Sequence, residues 1–175
     1  ANLNSMQGER VKSVEELIIA NFLYLNGIEY QYEKAYPHGE ILYCPDFYLS
    51  EYDLYLEHFG VDENNQAGWL TPFFEQKYVE EMKLKRERHI THKTTLLETY
   101  SYYSRDHVLL EKLEQILLEN SVILKPRDTS EIYEIVSQDG KNFGKEIIKL
   151  IESFINLSKS RRLNSKALTE LFSER

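Results

Sequence analysis

The sequence predicts an α/β or α+β core followed by a helical C-terminal portion, and two observations carry this. Short stretches with strand-type alternation near 28–36, 41–49, 53–59 and 94–102 are interleaved with helical patterns at 12–27 and 73–90. Beyond about residue 105 the strands stop. Amphipathic patterns at 105–121 and 144–162 follow, with shorter ones near 129–137 and 165–172.

The first helix has clear punctuation. In "KSVEELIIANFLYLNG" Ser13 stands as N-cap, Glu16 completes a capping box three residues later, and Gly27 closes the end. Val14, Leu17, Ile18, Asn21, Phe22 and Leu25 share one face. Ala20 with Leu23 gives a second, so burial on more than one side is expected. "IEYQYEKAY" alternates as a strand and His38-Gly39 makes a turn. Residues 41–49 and 53–59 form a hairpin around Ser50-Glu51-Tyr52, ended by Gly60. A polar loop around the lone Trp69 leads into helix 73–90, and "TTLLETYSY" reads as a fourth strand.

A length of 175 residues, 42% hydrophobic and 13% aromatic, suffices for about one domain with a real core and excludes a disordered chain. Thirteen tyrosines suit half-buried strands or a surface on which flat ligands stack. The net charge of −8 argues against DNA binding through overall charge and leaves room for a local basic patch. The single Cys44 excludes an internal disulfide framework and no Cys/His array has zinc spacing, which reads as an intracellular, cytoplasmic protein. There is no apolar run long enough for a membrane span and no signal peptide. A Walker-type phosphate loop is also missing, so these residues by themselves are not expected to hydrolyse ATP. The chain starts at Ala1 and stops just after a helical pattern, which reads as a fragment excised from a larger protein.

The hairpin "YCPDFYLSEYDLYLEHFG" carries an acid in each strand, Asp46 and Glu57. In the second strand Tyr55, Glu57 and Phe59 point to one side and Leu54, Leu56 and His58 to the other, which sets Glu57 between two aromatics. Pro45 removes a backbone donor before Asp46 and favours a strand start. The two acids therefore converge at one end of a sheet. Unless a cation separates them, one must take up a proton. Hard oxygen ligands of this kind suit Mg²⁺ or Mn²⁺. The plainer reading is a turn-capping Asp46 and a half-exposed Glu57 paired to a lysine.

The next helix bears on that choice. Phe74, Tyr78, Met82, Lys85 and His89 recur at steps of four, four, three and four, so they share one face. Lys85 is then either a snorkelling side chain covering apolar surface or an ammonium aimed at the acids. Glu16 already has a structural role in the capping box, and its alignment with Ala20 and Leu23 keeps it a site candidate.

"KSVEELIIANFL", "CPDFYL", "YLEHFG" and "YVEEMKLKRERH" followed by "TLLETYS" together resemble the PD-(D/E)XK nuclease fold. More closely, they resemble the nuclease-like domain inserted in bacterial superfamily 1 DNA helicases of the helicase IV type. The resemblance covers roughly residues 10–120, and "LIESFINLSKSRR" is similar to the helical stretch that leads such helicases back into their motor. It implies a restriction-endonuclease-like α/β domain over 10–105, with a mixed central sheet flanked by helices. Residues 106–175 become a helical C-terminal extension towards the motor domains of the same parent chain. It also implies Asp46 and Glu57 as metal ligands, the His58 backbone carbonyl as a further ligand, and Glu16 as the acid of the first helix. One position departs from the motif: the lysine expected two residues after Glu57 is Phe59, and Lys85 is the replacement this sequence offers. ATP enters only through the parent helicase, whose work belongs to DNA repair.

"KLKRERHITHK" concentrates Lys83, Lys85, Arg86, Arg88, His89, His92 and Lys93 against one acid. It is either a solvated helix face or a phosphate-contacting strip beside the acids. Lys83, Arg86, Arg88, His89 and Lys93 are the DNA-binding candidates. Three functional expectations follow: a metal-dependent DNA nuclease, a non-catalytic DNA-binding insert, or a protein-interaction module with Tyr-rich faces.

Overall fold

The computed structural model describes residues 3–39 and 41–128. The chain divides into two compact units, Ala1–Lys125 and Pro126–Arg175, and the sheet with its helices lies in the first. The helices expected near 129–137, 144–162 and 165–172 lie outside the described residues.

Helix α1, Val14–Leu25, starts where the capping box places it. Ser13 Oγ accepts the Glu16 N–H at 3.0 Å, and the Glu16 carboxylate accepts the Lys12 N–H at 3.1 Å. At the other end Gly27 adopts φ +66°, and a Cβ there would lie 2.6 Å from the Lys125 carbonyl oxygen, so only glycine fits. Leu17, Ile19, Ala20, Phe22, Leu23 and Leu25 are all buried, as a helix covered on two sides requires, whereas Val14 projects to solvent.

Strands β1 (Tyr30–Tyr32), β2 (Phe47–Leu49), β3 (Leu54–Phe59) and β4 (Thr95–Tyr100) form one sheet in that order. β1 to β3 run antiparallel and β4 lies parallel to β3, so the sheet is mixed. The fold is α/β, with helices flanking a four-stranded mixed sheet. The first two strands are shorter than the alternation suggested. Glu33 turns the chain at φ +49° and donates its N–H to Asp46 O, and Pro45 has no N–H to add to a ladder. The intervening loop instead carries Tyr36 and Tyr43 onto Tyr55 as a small aromatic core.

Helix α2, Pro72–His92, makes the crossover from β3 to the parallel β4 and covers the Tyr55–Glu57–Phe59 side. Met82 packs there against Phe59, Val61 and Ala67. Burial of side chains of this size stabilises the fold by about 1.5–3 kcal/mol each. The opposite side of β3 meets α1 through His58. After β4 the chain turns at once into α3, Ser101–Arg105, and then α4, Leu109–Glu119. The sequence assigned α4 to the extension. Its Leu109, Leu113 and Leu117 are buried and it packs against α1 and β4, inside the first unit.

Candidate active site

The β2–β3 register brings the two acids together. Phe47 pairs with Leu56, so one step outward Asp46 stands beside Glu57, at the end of the sheet where β2 begins. Asp46 Oδ2 accepts the backbone N–H of His58 at 2.7 Å, which holds the carboxylate across the strand pair. Its other oxygen has no protein partner among the described residues, and Asp46 lines an open cleft of about 560 Å³. Burial, and then the neighbouring Glu57, push the Asp46 carboxyl up to about 8.

Glu57 is 1% exposed and has both oxygens engaged. The Tyr43 hydroxyl donates to one at 2.7 Å and Lys85 Nζ to the other at 2.7 Å. Burial and Glu57 raise the Tyr43 phenol well above its ordinary value, so it stays a donor. The Lys85 ammonium reaches the acids from α2, as the helix periodicity allowed, and lies 5.5 Å from the Tyr43 ring centre and 5.6 Å from that of Phe59. Phe59 thus forms part of the wall under the lysine that reaches in from the helix.

Glu16 lines the same cleft, but its carboxylate is bound locally by Ser13 Oγ, the Lys12 N–H and the Tyr32 hydroxyl. The His58 side chain points to the opposite side of the sheet. Its ring nitrogens meet Thr99 Oγ1 at 2.9 Å and Glu15 Oε2 at 3.0 Å, and Ser101 also donates to that carboxylate at 2.7 Å. These partners hold the Glu15 carboxyl below its usual range, the His58 hydrogen bond most of all. Glu15 and Ser101 were not singled out in the sequence. Glu15 sits beside a capping box that accounts for an acid there, and Ser101 is brought in only by the parallel placement of β4.

The basic run on α2 divides. Lys83 and Lys93 are exposed and Arg88 is half-buried, its guanidinium 5.4 Å from the Tyr43 ring centre. Arg86 is committed to Glu98 through two hydrogen bonds of 2.7 Å. His89 corrects the expectation of phosphate contact. It is 2% exposed and packed on Tyr36 and Tyr55, with Nδ1 at 2.8 Å from Thr94 Oγ1. Burial pulls its pKa down to about 4, so the ring is neutral at pH 7.

Among the described residues no three His, Cys, Asp or Glu side chains converge as a metal cluster. The pair Asp46–Glu57 still fits a hard divalent ion, which needs only one or two protein carboxylates and keeps several waters. The Asp46 carboxyl is raised by burial first and by the Glu57 charge second, and a cation held between the two acids would offset both. No described helix is long and apolar enough to cross a membrane.

No family model and no solved structure matches the chain. It is 30% identical over 122 residues to an uncharacterized protein of Methanocaldococcus jannaschii, a match that takes in 64% of this chain and 10% of that protein. The chain therefore spans about a tenth of the length of the curated relative it matches.

Proposed function

We propose that this chain is a nuclease-like accessory domain of an ATP-dependent DNA helicase, which binds DNA and hydrolyses phosphodiester bonds with Mg²⁺ or Mn²⁺. The observation that carries the reading is the meeting of Asp46, Glu57 and Lys85 at one wall of an open cleft. The four-stranded mixed sheet agrees with the restriction-endonuclease-like fold that the resemblance implies. The motor domains, the use of ATP, the cytoplasmic location and a task in DNA repair rest on that resemblance and belong to the parent protein.

When bound, a divalent ion lowers the pKa of a coordinated water and neutralises charge on the scissile phosphate. Asp46 and Glu57 would hold it, with the His58 carbonyl as a further ligand. The His58 N–H orients Asp46 and the Tyr43 hydroxyl orients Glu57. Freed from Glu57, the Lys85 ammonium would donate to a phosphate oxygen and stabilise the charge that develops in the transition state. Lys83, Arg88 and Lys93 would contact backbone phosphates along α2 without reading sequence.

A second reading, a domain that binds DNA without cutting it, is favoured by two features of Glu57. Both of its oxygens are already engaged, and Phe59 follows it where the motif has lysine. Calorimetric titration of Mn²⁺ into the wild-type chain and Asp46→Ala, with a plasmid-nicking assay on the same samples, separates the two. Metal binding and nicking that disappear together in the variant support the nuclease. Metal binding without nicking by the wild type supports the second reading, and no metal binding by the wild type removes the metal centre.

A further inference from the structure

A pocket of about 320 Å³ adjoins the carboxylate cleft and shares Gly60, Trp69 and Ser101 with it. Trp69 is 68% exposed, yet its ring is fixed. The indole N–H donates to the Gly60 carbonyl at 2.8 Å, and the ring stands edge-on to Tyr78 at 5.9 Å. The ring lies directly over the Gly60 backbone, where even a Cβ would meet the indole at 3.4 Å. Tyr102 lines the pocket from α3, itself stacked on Tyr100 at 5.5 Å. A flat ligand laid on an indole already held in place costs little side-chain entropy.

The polar lining narrows the ligand. Arg105 is the cation of the pocket, and it is spent on Glu63 and Asp106. Asp62 Oδ1 accepts the backbone N–H groups of Asn64 and Gln66, which turns the carboxylate into the loop. The exposed Gln66 side chain remains, an amide with both a donor and an acceptor. Aromatic faces beside an amide, with the pocket's cation ion-paired to two acids and the Asp62 carboxylate set against an anion, suit a neutral heteroaromatic ring rather than a phosphate.

We propose that this pocket takes one unpaired nucleobase of a DNA strand whose adjoining phosphate lies in the carboxylate cleft. The inference rests on the DNA reading above and adds a substrate class to it. A base inside a duplex has both faces covered by its neighbours, so the strand entering the cleft is single at that point.

Trp69 is the one tryptophan of the chain, which makes its fluorescence a direct reporter. Oligothymidylate, an abasic oligomer of equal length and a blunt duplex are each titrated into Asp46→Asn without metal, so that nothing is cut. Saturable quenching by oligothymidylate, absent with the other two, is expected. By anisotropy of labelled oligothymidylate, Trp69→Leu should bind roughly tenfold more weakly and Trp69→Phe close to wild type. Equal binding of base-bearing and abasic strands, or a Trp69→Leu affinity equal to wild type, would overturn the pocket and leave the DNA reading standing. Failure of every oligomer to bind would sink both.

Discussion

Lys85 Nζ lies 2.7 Å from Glu57 Oε2, bridging α2 and β3 across a site where the strand itself offers only Phe59. Glu57 is almost wholly buried and Lys85 is about one-third exposed, so the pair is stronger than a surface ion pair and weaker than a sealed one. Lys85→Met should lower stability by about 2 kcal/mol, because it strands a buried carboxylate. Glu57→Gln in the same chain should recover most of that loss. Urea denaturation of the single and double variants measures the coupling, and strict additivity would contradict the pairing.

Asp46 has a carboxyl raised to about 8, above an unfolded value near 4. The folded chain therefore holds a proton that the unfolded chain has released. Stability is full below the unfolded pKa and is lost as pH rises through about 8. Thermal melting from pH 5 to 9 should show this decline in the wild type and a flatter profile in Asp46→Asn. At pH 9 the variant should melt higher by on the order of 5 °C. Added Mn²⁺ should raise the wild-type midpoint at that pH and leave the variant unmoved.

His89 behaves in the opposite sense. Its folded pKa is pulled down to about 4 from an ordinary value of 6.5, so the unfolded chain binds the extra proton. Stability is full above pH 6.5 and falls as pH drops towards 4. His89→Gln should melt lower than wild type at pH 7 and lose less on acidification over that window. An unchanged acid slope would place the titrating group elsewhere.

The basic residues of α2 should separate by assay. Arg86→Ala breaks the paired hydrogen bonds to Glu98 and should destabilise by about 1–2 kcal/mol. Its effect on DNA affinity should be small. Lys83→Ala, Arg88→Ala and Lys93→Ala should each weaken binding and reduce the salt dependence by about one unit of slope. Titrations of a labelled oligonucleotide at several salt concentrations, beside melts of the same proteins, check both halves.

Much of the fold was written in the sequence, because it depends on local periodicity and on turn chemistry. The capping box at Ser13 and Glu16, the glycine after α1, and the alternation that sets Tyr55, Glu57 and Phe59 against Leu54, Leu56 and His58 all follow from near neighbours. The same holds for the helical spacing that lines up Tyr78, Met82, Lys85 and His89.

Tertiary structure decided what distant segments do to one another. Periodicity put Lys85 and His89 on one face of α2. Only the packing of that helix shows Lys85 reaching Glu57 while His89 sinks among Tyr36, Tyr43 and Tyr55. The pairing of Arg86 with Glu98 needed the parallel β4, as did the meeting of His58 with Thr99 and Ser101, and Glu15 reaches His58 only because α1 packs on that side of the sheet. Sequence spacing specifies the side of an element on which a group stands. Which group stands opposite depends on sheet order and crossover, and these are set by the burial of apolar surface across the whole chain.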